Sequence, residues 1–207
     1  MRLVLASTSP QRRDILQQLR IPFEAVAPAY VEHDPPDADP VELVRSHAVG
    51  KARSVHRPDR ATIGVDTTVH LDGRVYGKPR DADDAVEMLR ELSGRTHTVI
   101  SGLCLIAPGG ETVDHAETMV TFRSFGDRMI REYVGSGEWR GRAGGYAIQG
   151  LGGRLVERKR PISRLSVPPT GFAAISTLAR RYGMRRSGSS RSSVVMRSAV
   201  GSPTTFA

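Results

Sequence analysis

The residues of this chain best equipped for chemistry come in short groups scattered along the sequence. The first group is Leu3-Val4-Leu5-Ala6-Ser7-Thr8-Ser9-Pro10-Gln11-Arg12-Arg13, an apolar strand that runs through hydroxyl residues into a helix. Such a junction offers unpaired backbone N–H groups and the positive end of a helix dipole, which together suit an anion. Ser7, Thr8 and Ser9 add hydroxyl donors, and Arg12 and Arg13 add planar charged forks that fit phosphate oxygens. The same run also reads as a plain helix start, with Ser9 as N-cap and Pro10 at the first helical position. It contains no glycine, so it is neither a P-loop nor a dinucleotide fingerprint.

The second group centres on Asp66, a carboxylate inside the apolar and hydroxylated run Ile63-Gly64-Val65-Asp66-Thr67-Thr68-Val69. A strand-interior carboxylate is costly unless it is paired, hydrogen-bonded or bound to a metal. Gly64 beside it implies a close backbone approach. Lys78, between Gly77 and Pro79, is held extended by the proline and can lie over the same cleft. Lys51 follows an acidic loop that carries Glu32, Asp34, Asp37 and Asp39. Only three of the thirty basic residues are lysines, and two of them fall in these segments. Glu32 with Asp66 makes a two-carboxylate site for a hard divalent cation, whereas Asp34, Asp37 and Asp39 read as loop charges. Together these residues are the parts for cleaving a polyphosphate: cations neutralise phosphate charge and a carboxylate activates water. Tyr146 and Gln149, set among glycines, can form a base pocket, since an amide reads both donor and acceptor edges of a pyrimidine. The six histidines show no mutual ligand spacing and receive no role.

Positioning these groups requires alternating elements. Residues 2–6 and 23–27 read as strands, 10–20 and 40–55 as helices, with Asp39 as the N-cap of the latter. A strand over 62–71 turns at Asp72-Gly73 into 74–76, a strong hairpin signal. A helix over 81–92 ends at Ser93-Gly94. Two long β-like runs, 97–107 and 111–122, meet at Pro108-Gly109-Gly110, and a helix follows over 127–134. The glycine-dense segment 141–153 reads as loop, strand, loop. A last helix is expected over 171–182. The pattern predicts an α/β protein with a mixed sheet over 1–184, and a disordered Arg/Ser-rich tail over 185–207.

Bulk properties narrow the classes. No apolar run approaches a membrane span and no signal peptide opens the chain, so a cytoplasmic protein without a membrane partner is expected. The lone cysteine, Cys104, sits in an apolar stretch and reads as buried and inert. Half of the net charge of +8 comes from four arginines after residue 184. Aromatic residues are too sparse for a stacking platform, so no specific nucleic-acid partner is expected, although nonspecific binding through the tail stays open.

The segments Leu5-Ala6-Ser7-Thr8-Ser9-Pro10-Gln11-Arg12-Arg13, Gly64-Val65-Asp66-Thr67, Gly77-Lys78-Pro79, Leu92-Ser93-Gly94-Arg95-Thr96-His97, Tyr133-Val134-Gly135-Ser136-Gly137-Glu138 and Ala143-Gly144-Gly145-Tyr146-Ala147-Ile148-Gln149-Gly150 occur in that order. The chain thereby resembles the Maf family, septum-formation-inhibitor-like nucleoside triphosphate pyrophosphatases, over residues 2–158. The resemblance implies a two-lobed, ITPase-like α/β fold around a twisted mixed β-sheet, with a cleft between the lobes. It implies hydrolysis of a nucleoside triphosphate to the monophosphate and pyrophosphate, with a divalent cation (Mg2+, Mn2+ or Co2+), and it is compatible with a homodimer. Carried onto this chain, it makes Asp66 the catalytic, water-activating or metal-binding carboxylate. Arg12, Lys51 and Lys78 become phosphate ligands, Ser7 lines the loop, and Glu32 helps hold the metal. Thr67 and Gln149 resemble the dTTP/UTP branch, whereas Gln11 replaces the arginine expected there.

The chain departs from the family after Glu157. Arg158-Lys159-Arg160-Pro161 and the prolines that follow make a poor central strand, which raises the reading of a local frame excursion in the gene. It also leaves open a second reading, a catalytically weakened regulatory protein of cell division or septation.

Overall fold

The structure is a computed structural model that describes residues 3–35 and 38–162. The expected last helix, the tail and Asp37 lie outside the described residues. Among the described residues seven strands form one mixed sheet: β1 (Leu3–Ala6), β2 (Phe23–Val26), β3 (Ala61–Leu71), β4 (Arg74–Tyr76), β5 (Thr96–Ala107), β6 (Gly110–Phe122) and β7 (Val156–Pro161). Their order is β2-β1-β3-β5-β6-β7, with β4 paired to β3 off that path. β1 runs parallel to β2 and β3, and the other pairings are antiparallel. The described residues hold four helices, α1 (Pro10–Gln18), α2 (Pro40–Val55), α3 (Ala82–Leu92) and α4 (Asp127–Gly135).

Local chemistry sets several of these boundaries. The Asp39 carboxylate accepts from the N–H groups of Val41 and Glu42 at 2.9 Å, so α2 starts where Pro40 supplies a prepared φ. Asp81 caps α3 in the same way, accepting from the Asp84 N–H at 2.8 Å. Ser9 lies at the N-cap position of α1, but its hydroxyl donates to Gln11 Oε1 at 2.9 Å instead of capping the helix.

Two departures from the sequence reading stand out. Residues 141–153 hold two 3₁₀ turns, Ala143–Gly145 and Leu151–Leu155, and no strand. Gly144 and Gly145 have φ of +67° and +70°, which interrupt any extended run and admit few other residues. The basic run after Glu157 does form a strand through Pro161, but as the last of the described strands, beyond β6, with its residues exposed. Charged side chains and a proline at the end suit such a position better than a central one.

α2 covers one face of the sheet and the other helices cover the opposite face. On the α2 side, Ala48 and Ala52 pack on Cys104, which is fully buried as its surroundings predict. The opposite face carries two apolar clusters. One gathers Leu3, Leu5, Ile15, Leu16, Ile63 and Val65 around α1. The other gathers Val69, Leu89, Phe122, Ile130, Trp139 and Tyr146 around α3 and α4. β3 runs through both clusters, so one strand joins two lobes.

β3 is also where the sheet opens. On one edge it pairs with β5 from Thr62 to His70. On its other edge, β1 stops at the Ala6–Gly64 pair and β4 begins at the Val69–Tyr76 pair. Val65, Asp66, Thr67 and Thr68 therefore have no strand partner on that edge among the described residues. A window in a sheet leaves backbone donors and acceptors for something other than a strand.

His97 lies buried in the second cluster, its Nε2 2.7 Å from the Tyr146 hydroxyl. Burial lowers its pKa to about 4, against 6.5 for a free side chain. Between those values the unfolded chain binds the proton and the folded chain does not, so stability rises with pH. The contribution, about 3 kcal/mol, is complete above pH 6.5 and is lost as pH falls toward 4. Urea denaturation across pH 4–7 should show this slope in the wild-type protein and a shallower one in His97→Gln.

Candidate active site

The open window of β3 places Asp66 at the centre of a charged cluster. Its carboxylate is almost entirely buried, and each oxygen has its own partner. Lys51 Nζ donates to Oδ1 at 2.5 Å, and His47 Nδ1 stands 3.4 Å from Oδ2. Lys51 is itself 5% exposed and also meets Glu32 Oε1 at 2.6 Å. Lys78 Nζ lies 3.3 Å from both oxygens of Glu32. A buried ammonium without partners would be strongly unfavourable, and here two carboxylates share it. Burial pushes the Asp66 carboxyl up, but His47, Lys51 and Arg12 outweigh it and hold the group at about 2. Burial likewise raises the Glu32 carboxyl, and Lys51 and Lys78 reverse that shift.

α2 delivers His47 and Lys51, four residues apart and so on one helix face. It can do so because two glycines leave the sheet beneath bare of side chains where the helix backbone comes closest. A Cβ on Gly64 would lie 2.0 Å from the Ala48 carbonyl oxygen, and one on Gly102 would lie 2.2 Å from that of Val44. Gly102 is the β5 residue opposite Asp66. The close approach implied by Gly64 is thus that of a helix backbone, not of a ligand.

The first loop meets the cluster from the other side. Ser7 is buried, and its hydroxyl oxygen accepts from the Ser9 N–H at 3.1 Å and from Arg12 Nη1 at 3.2 Å. Arg12 Nη2 reaches Thr67 Oγ1 at 3.4 Å, and Thr67 is 3.1 Å from Ser101 Oγ. Burial lowers the Arg12 pKa, while Asp66 and Glu32 pull it back up.

A cavity of about 210 Å³ opens beside Arg12 and Asp66, at the seam between the two lobes. Its apolar floor includes Val65, Val69, Val99 and Val120. Gln11, Arg12, Thr67, Lys78 and Gln149 all line it, as does Tyr146. Ser7, Lys51 and Glu32 do not line it but contact residues that do. Arg13 is exposed on α1 and stands apart from the cavity, because one step along a helix turns the side chain by about 100°.

Three cavity residues and one buried neighbour escape the sequence reading. Ser101 and Lys159 line the cavity from β5 and β7. Arg142 lines it from the glycine-rich segment, and its Nε is buried without a hydrogen-bond partner, a donor suited to an incoming anion. His47, given no role above, sits against Asp66. Its signal is its spacing of four from Lys51, not its spacing from other histidines.

The described parts can hold a polyanion and a cation at once. Arg12, Lys78, Arg142 and Lys159 supply positive charge around the cavity. Single ligand atoms of Glu32, His47 and Asp66 all lie within 4.8 Å of one another, a donor set able to take a divalent cation.

The Maf family, described as Maf-like protein, matches residues 2–161. The chain belongs to the Maf family. The dTTP/UTP pyrophosphatase of Aquifex aeolicus (strain VF5) is 44% identical to it over 160 residues, 76% of this chain and 84% of that protein. The dTTP/UTP pyrophosphatase of Nitratidesulfovibrio vulgaris (strain Hildenborough) is 43% identical over 158 residues, 74% and 75% of the two chains. The Staphylococcus aureus Ham1 protein, a solved structure, aligns with a TM-score of 0.40 at 12% identity, covering 59% of this chain and 72% of its own. No helix among the described residues of this Maf protein is long and apolar enough to cross a membrane.

Proposed function

We propose that this Maf protein hydrolyses dTTP and UTP to the nucleoside monophosphate and pyrophosphate. The reading is carried by the buried Asp66 carboxylate, neutralised by Lys51 and facing a cavity rimmed with Arg12 and Lys78. Relatives more than 40% identical that are named dTTP/UTP pyrophosphatases support the substrate class.

The triphosphate enters beside the first loop, where Arg12, Lys78 and Arg142 take its oxygens and Ser7 keeps Arg12 in place. Gln149 and Tyr146 face the base, and Thr67 and Gln11 shape the cavity between base and phosphates. Water adds across the anhydride between the α and β phosphates, and pyrophosphate leaves. A carboxylate held at about 2 is a weak proton acceptor. The incoming phosphates draw Lys51 and Arg12 toward themselves and thin the positive shell of Asp66, which leaves its carboxylate to take the proton of the attacking water or to ligate a cation. Glu32 and Asp66, whose oxygens already converge on one ammonium, would hold the divalent cation, Mg2+, Mn2+ or Co2+. When bound, that cation supplies Lewis-acid neutralisation of phosphate charge.

A panel of nucleoside triphosphates with each of the three metals tests the reading. Pyrophosphate release should be fastest for dTTP and UTP, with GTP and ATP at least about tenfold slower in kcat/KM, since an amide-built pocket rejects a mismatched edge. Equal rates for purine and pyrimidine triphosphates would refute the pocket assignment.

A further inference from the structure

His47 occupies a place that the hydrolytic scheme leaves unused. Its ring is buried between α2 and the Glu32 loop, with the Tyr30 ring edge-on at 5.7 Å. Gly50 leaves the room that Tyr30 fills, since a Cβ there would lie 2.2 Å from the Tyr30 ring. Nε2 is 3.2 Å from the His33 carbonyl oxygen and 3.4 Å from Asp34 Oδ1. Both of those partners accept only, so Nε2 carries a proton. Nδ1 then faces Asp66 Oδ2, the oxygen that Lys51 does not use. Without a metal a proton on Nδ1 bridges this nitrogen to the carboxylate, and a shared cation takes that proton's place on the nitrogen lone pair. Two ligand atoms each about 2.1 Å from one cation stand about 3 to 4 Å apart, and Nδ1 and Oδ2 are 3.4 Å apart. A metal-binding histidine usually donates its second N–H to a backbone carbonyl, which fixes the ring, and the His33 carbonyl serves that purpose here.

We propose that His47 supplies a nitrogen ligand, through Nδ1, to the divalent cation held by Glu32 and Asp66, and so biases the site toward Mn2+ and Co2+ over Mg2+. The inference rests on the metal site of the proposed function and adds to it an imidazole from this chain. Imidazole suits the transition metals, whereas Mg2+ prefers an all-oxygen shell.

The test is Mn2+ binding to the full chain followed by electron paramagnetic resonance, without nucleotide and with inorganic pyrophosphate, together with pulsed detection of nitrogen bonded to the metal. The wild-type protein should bind Mn2+ at least about tenfold more tightly than Mg2+ and show coupling to an imidazole nitrogen. His47→Leu should lose that coupling and about tenfold or more in Mn2+ affinity, with Mg2+ affinity changed less than about threefold. His47→Gln, which keeps a polar group beside His33, should lose the coupling as well. The nitrogen signal is read on the wild-type protein, so the test holds even where a variant fails to fold. Glu32-dependent Mn2+ binding without nitrogen coupling would overturn the role of His47 and leave the metal site standing. Absence of Mn2+ binding in both conditions would overturn both.

Discussion

Asp66→Asn is expected to lower the rate of pyrophosphate release from dTTP by about a thousandfold or more. The substitution keeps size and one carbonyl oxygen but removes the charge on which Lys51, His47 and Arg12 converge. Without that charge no group in the window of β3 draws a proton from the attacking water, and Glu32 loses its partner carboxylate. Glu32 still pairs with Lys51 at 2.6 Å, so the buried ammonium is not stranded and the variant should fold. Steady-state release at saturating dTTP, alongside a thermal melt, separates the two effects. A kcat within about threefold of wild type, in a protein that melts normally, would remove Asp66 from the mechanism.

Gly64→Ala should act on the same centre without touching a charged group. The added methyl would lie 2.0 Å from the Ala48 carbonyl oxygen and 2.7 Å from the Ala52 nitrogen, both backbone atoms of α2. A helix backbone cannot swing aside as a side chain does, so α2 must lift as a unit. The expected cost is about 1–3 kcal/mol or more in stability. Activity should fall as well, because His47 and Lys51 move with α2 away from Asp66. Gly135→Ala, where a Cβ meets nothing within 4 Å, is the control and should be neutral or slightly stabilising. Urea denaturation of the three proteins gives the comparison. An unchanged Gly64→Ala midpoint would show that the helix and sheet are less tightly seated than these distances require.

Much of the fold is legible in the sequence. The α2 helix begins and ends as read, because Asp39, Pro40 and an apolar stripe are local signals. The Asp72-Gly73 hairpin also follows from two residues, with φ of +49° and +81° that suit them. Segment 141–153 misleads because Tyr146, Ala147 and Ile148 look extended in isolation, while Gly144 and Gly145 turn the chain back across the cavity. The basic run after Glu157 is a poor central strand, but its place in the sheet depends on β6, which lies some forty residues earlier.

For the site, residue types and order single out Asp66, Lys51, Lys78, Glu32, Arg12 and the first loop as candidates, since a carboxylate inside an apolar strand and rare lysines in an arginine-rich chain stand out once the segments are taken together. What the tertiary structure alone decided was which of them meet. The gap between β1 and β4 leaves four residues of β3 without a strand partner on one edge among the described residues, and two bare glycines let α2 settle close enough for His47 and Lys51 to divide the two oxygens of Asp66 between them. Arg13 drops out and Arg142 comes in for the same reason. A sequence specifies the chemical type of each side chain, whereas the direction in which it points depends on helix phase and on the packing of distant segments.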